Sequence, residues 1–198
     1  MQKNTLKNFL IDDLADDHPL FDYNYTEEEH SENKYLYTDI FYEYFVDIEY
    51  ENIDFEYYYK NLKMYHILAE QLLDDNIKDI ENLLIEMIYL SYQMLYNITD
   101  KCYMTIMDDL LDVYNRKNWD YNNAAENQLR YSGAYSFKTT LEHKMLRLQS
   151  FYNDDDIKVG SEKVNDTIMD LVNYCMIYLM WSKKGYPTER NIKMIIEG

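Results

Sequence analysis

The chain has 198 residues, with 37 acidic against 19 basic side chains and a formal net charge of −18. That length fits one domain, or one domain with a large extension, and an apolar fraction of 47% is too high for a chain that stays disordered for want of a core. Only 4 glycines and 2 prolines interrupt it, which argues against a turn-rich β architecture and predicts a mainly α protein, a helical bundle.

The charge is unevenly placed. Residues 1–98 hold 22 acidic residues against 6 lysines, a balance of −16, whereas residues 99–198 hold 15 acidic against 13 basic, a balance of −2. The expected organisation is an acidic, tyrosine-rich region over 1–98 ending in a helical hairpin, a helical module over 99–185 and a tail over 186–198. An acidic half repels phosphodiester backbones and anionic membrane surfaces, so direct DNA binding is not expected, while a basic protein partner for residues 1–98 is one alternative the charge leaves open. The opening MQKNTLKNFLIDDLADD contains no apolar run of signal-peptide length. The stretch Leu171 to Trp181 is apolar and uncharged but falls short of the ~20 residues that cross a bilayer. The expectation is a cytoplasmic protein without a membrane span. Cys102 and Cys175 have neither metal-type nor redox-type spacing and read as buried, reduced core thiols.

In chain order, the first 56 residues resist assignment. Asp39, Glu43 and Asp47 recur at helical spacing beside Ile40, Tyr44 and Ile48, yet the alternation through Ile48 and Tyr50 also suits a strand. From Tyr57 the pattern settles into two amphipathic helices, one with Leu62, Tyr65, Ala69, Leu72 and Leu73 inward, the next with Ile80, Leu83, Leu84, Met87, Ser91 and Leu95. Asp74 to Asn76 forms a connection short enough to make them antiparallel neighbours. Asp100 is the expected cap of a helix running to about Arg116. The segment from Arg116 to Ser136, rich in Asn, Ser and Gly, reads as a long functional loop. Helices are expected over about 136–152 and 161–181.

The last of these helices holds the candidate chemistry. Val164, Ile168, Leu171, Val172, Cys175 and Leu179 share one stripe, and Glu162, Asp166, Asp170 and Asn173 share the other. Tyr174 to Trp181 is apolar all round and has to be covered on every side, so the acidic stripe is expected to enter a groove between helices. Carboxylates spaced four apart in such a groove repel one another unless a cation joins them, and oxygen-only ligands suit Mg²⁺ or Mn²⁺. On the preceding helix, Lys144 and Arg147 border the buried stripe Phe137, Leu141, Met145, Leu148 and Tyr152, where they could hold phosphate oxygens. Glu142 with His143 reads as structural, since no nucleophilic Ser or Cys stands near. His18, His30 and His66 belong to no constellation.

Three segments, RKNWDYNNAAENQLRYSG, LEHKMLRLQSF and VGSEKVNDTIMDLVNYCMIYLMW, taken in that order over about 104–181, resemble the nucleotide-modification-associated domain 1 family, found largely in phage and bacterial genomes. That family looks related to the all-α nucleotide pyrophosphatases of the MazG type, which bind Mg²⁺ through helix-borne acids and cleave nucleoside triphosphates to monophosphates and pyrophosphate. The resemblance implies roles for Lys117, Asp120, Tyr121, Lys144, Arg147, Glu162, Asp166, Asp170 and Asn173. The chain departs from the family pattern at Asn122, where glycine is usual, and at His143, where an acid is common.

The first expectation is therefore an Mg²⁺-dependent nucleotide-binding protein or nucleoside triphosphate pyrophosphohydrolase, acting in the host cytoplasm if phage-encoded. Glu162, Asp166 and Asp170 would hold metal, Lys117, Lys144 and Arg147 phosphate, and Tyr121 or Trp119 would stack on the base. A homodimer is expected with it. The second is a non-enzymatic interaction or virion protein whose acidic half docks on a basic partner or mimics nucleic acid.

Overall fold

A capping box starts the first helix among the described residues: the Thr26 side chain accepts from the Glu29 backbone N–H, and the Glu29 carboxylate accepts from the Thr26 N–H. In the computed structural model, which describes residues 25–46, 49, 51–73, 77–121, 123–153 and 164–185, this helix is followed by six more, and no strand occurs among the described residues. They are α1 (Glu27–Phe45), α2 (Phe55–Leu73), α3 (Ile77–Thr99), α4 (Tyr103–Asp120), α5 (Ala124–Ser132), α6 (Ala134–Tyr152) and α7 (Val164–Lys183). The mainly α bundle expected from composition is the observed architecture.

The ambiguous acidic segment is resolved as helix through Phe45, because Tyr37, Ile40, Phe41 and Phe45 fall on one face and are all buried. Helix α7 packs against α1, α3, α4, α5 and α6, and α2 closes on α3 and α6. That central position accounts for the apolar run at the end of α7, where Cys175 to Trp181 is buried without interruption. A single hydrophobic cluster runs from Tyr37 to Trp181, so helices of the acidic half and of the near-neutral half share one core.

Tyrosine suits this core because the ring fills space while the hydroxyl finds a partner. The Tyr37 hydroxyl donates to Asn173 Oδ1 at 2.7 Å, the Tyr92 hydroxyl donates to the Tyr103 carbonyl, and the Tyr59 and Tyr152 rings stack with centroids 4.6 Å apart. Buried Gln93 donates to the Glu49 carbonyl at 2.8 Å and accepts from the Glu51 N–H at 3.0 Å, fixing the entry into α2.

Three expectations need correction. The segment from Arg116 to Ser136 is not one long loop: α4 extends to Asp120, and Ala124 to Ser132 form α5, whose apolar anchor is buried Leu129. Asp100 does not cap α4; it takes a left-handed conformation (φ 53°), and Cys102 is the N-cap. For that reason Cys102 is exposed, and only Cys175 is a core thiol. The expected connection Asp74 to Asn76, the start of the last helix before Val164 and the tail over 186–198 lie outside the described residues. Among those described, no helix is long and apolar enough to cross a membrane.

Trp181 is fully buried, so Trp181→Ala should lower unfolding free energy by about 3–5 kcal/mol, whereas Leu146→Ala on the exposed face of α6 should stay within about 0.5 kcal/mol. Urea denaturation of both variants checks the contrast. His66 is buried on α2, and desolvation holds its pKa below the usual value, with Glu142 opposing and Lys138 reinforcing. The unfolded chain then binds more protons, so this contribution is complete above the unfolded pKa of about 6.5 and is lost as pH falls through the lower folded value. His66→Gln should flatten stability against pH in that window, as thermal melts across it would show.

Candidate functional site

Helix α7 sets the site. Asp166, in its first turn, is exposed, while Asp170 and Asn173, one and two turns further on, are buried. Asn173 accepts from Tyr37, donates to the Leu110 carbonyl at 3.3 Å and lines the cavity between α4, α5 and α7. Asp170 meets two cations from two other helices. Lys144 of α6 places its Nζ 2.7 Å from Oδ2, and Lys117 of α4 donates to Oδ1. The Asp170 side chain is 11% exposed, Lys144 19% and Lys117 50%, so the Lys144 pair is the more desolvated and the less weakened by water. Lys144 also lies 5.9 Å from the centre of the Tyr174 ring.

Two cavities meet at this cluster. One, of about 370 Å³, lies between α4, α5 and α7, with Tyr114, Asn118, Tyr121, Gln128 and Tyr174 among its walls and Lys117 and Asp170 at its edge. The other, of about 330 Å³, is a crevice lined by Arg116, Lys117, Lys144, Asp166 and Asp170 with Val113 and Met169. The Lys117–Asp170 pair borders both, so one side is lined by tyrosines and side-chain amides and the other by charged groups.

The remaining expected residues divide. Tyr121 is 67% exposed at the rim of the first cavity, and Asp120 beside it faces solvent. Arg147 is part-buried on α6 and lines neither cavity. Trp119 points elsewhere, against Tyr25 and His30, with ring centroids 6.3 and 5.3 Å away. Glu162 and Asn122 lie outside the described residues. Arg116, Tyr114, Asn118 and Tyr174 were not singled out from sequence. The first three sit within one turn of Lys117, and that spacing was the available signal.

No family model, curated protein or solved structure matches the chain. Function has to be read from the side chains themselves.

An Mg²⁺ or Mn²⁺ site needs several oxygen ligands around one point. Among the described residues no group of three or more His, Cys, Asp or Glu side chains is so disposed, and each oxygen of Asp170 already accepts from an ammonium. The described side chains therefore do not by themselves form an all-protein metal shell, and no chemical step is assigned to a metal.

The turn that carries Tyr121 is held from behind. Glu126 is buried and accepts from Lys184 at 2.7 Å, Asn123 at 3.0 Å and Asn33 at 3.2 Å, which ties α5 to α1 and to the end of α7. Asn123 turns the chain there in a left-handed conformation (φ 54°), which asparagine tolerates. Glu126→Ala strands buried amides and a lysine, so an unfolding cost of about 3 kcal/mol is expected, with a smaller one for Glu126→Gln. Urea midpoints at constant slope measure both.

Proposed function

We propose that this cleft binds a nucleotide, with phosphate on Lys117 and Lys144 and the base in the aromatic cavity. The observation that supports this reading is the convergence of two lysines from separate helices on one carboxylate, at the boundary between an aromatic cavity and a charged crevice. Each ammonium carries three N–H donors, and Asp170 takes one from each, which leaves two per lysine for phosphate oxygens. Arg116 lines the same crevice; its pairing with Asp112, at 2.9 Å, is exposed on both sides and exchanges at little cost. Tyr121 and Tyr174 offer ring faces to a base.

The reaction to test is hydrolysis of a nucleoside triphosphate to monophosphate and pyrophosphate, as the resemblance to the nucleotide-modification-associated and MazG-type proteins suggests. In that reaction Asp166, on the crevice wall, would accept the proton of the attacking water.

Calorimetry with nucleoside mono-, di- and triphosphates, with and without Mg²⁺, tests binding, and pyrophosphate release tests turnover. Lys144→Ala and Lys117→Ala should each weaken nucleotide binding about tenfold, which is ~1.4 kcal/mol. Asp166→Asn should remove turnover and leave the melting temperature unchanged, because the residue is exposed. Absence of nucleotide binding, together with tight association to a basic protein, would replace this reading with one in which the acidic face docks on a partner.

A further inference from the structure

Asp170 sits where the resemblance would place a metal ligand, yet its surroundings are those of a counter-ion. Its two oxygens are each engaged by a different ammonium, and the pair it forms with Lys144 is largely withdrawn from water. An Mg²⁺ ion coordinated by Asp170 would sit about 2.0–2.1 Å from a carboxylate oxygen. There its double charge would face Lys117 and Lys144 at contact range and expel at least one of them. The lining points the same way: Arg116, Lys117 and Lys144 bring three cationic side chains to this crevice, donors suited to an anion.

Resting on the nucleotide reading above, we infer that Asp170 is an internal counter-anion that holds Lys117 and Lys144 in place for a phosphate-class anion, which binds without a divalent cation and in competition with the Asp170 carboxylate. A carboxylate this close repels an incoming phosphate, so it lowers affinity while it keeps two long, flexible side chains ordered between ligands. The consequence has the opposite sign from a metal site. Neutralising a metal ligand destroys phosphate binding, whereas neutralising a counter-anion strengthens it.

The test uses the full chain, with pyrophosphate as the probe, in calorimetry with EDTA present. Wild type should bind pyrophosphate, Asp170→Asn should bind it at least about tenfold more tightly, and Lys144→Ala should lose most of the affinity. Far-UV circular dichroism establishes that Asp170→Asn is folded. A second measurement needs no variant: the lysine side-chain ammonium resonance of Lys144 should not move when Mg²⁺ alone is titrated into wild type, and a movement would overturn the inference. Pyrophosphate binding that requires Mg²⁺ and disappears in Asp170→Asn would make Asp170 a metal ligand and overturn it too, while leaving the nucleotide reading intact. Failure of wild type to bind pyrophosphate or any nucleotide, with or without Mg²⁺, would remove both.

Discussion

The structure depends on burying one helix. With α1, α3, α4, α5 and α6 around it, α7 is covered along its middle, and the buried run from Cys175 to Trp181 carries no charge. A carboxylate inside such a helix has to be compensated where it stands, because an isolated ionised carboxylate costs far more to bury than a hydrophobic contact returns. Asp170 is compensated twice, by lysines from α4 and α6, and so the packing of three helices is coupled to the chemistry of one side chain.

That coupling explains why the two cavities meet where they do. Lysines of α4 and α6 reach the same carboxylate of α7. The short helix α5 closes the aromatic side, held by the buried pair of Glu126 and Lys184 and by two asparagine amides. On the charged side, exposed Asp166 and Arg116 line the crevice.

Much of the fold was legible in the chain. The inward faces of α2, α3 and α6 followed from helical spacing, and the uncharged run ending at Trp181 required cover on every side, which it has. The candidate site was legible only in part. Lys117, Lys144, Asp166 and Asp170 do come to one place, and Asn173 lines the adjoining cavity with its amide held by Tyr37, a partner far away in sequence, but Trp119 turns to Tyr25 and His30. The short helix α5 was missed because its asparagines and serine resemble loop residues, whereas Leu129 and Ala125 packing inwards favour helix for that segment.

The sequence by itself determined that the chain is helical, that its last strong helix is central, and which residues lie on the polar flank of that helix, because these follow from local spacing and from the need to bury apolar area. Tertiary structure alone decided what the polar flank faces. Whether an aspartate meets a metal, water or lysines depends on side chains brought from other helices, and Lys117 and Lys144 lie far from Asp170 along the chain. Electrostatics acts through space, and spacing along one helix carries no record of which charge stands opposite.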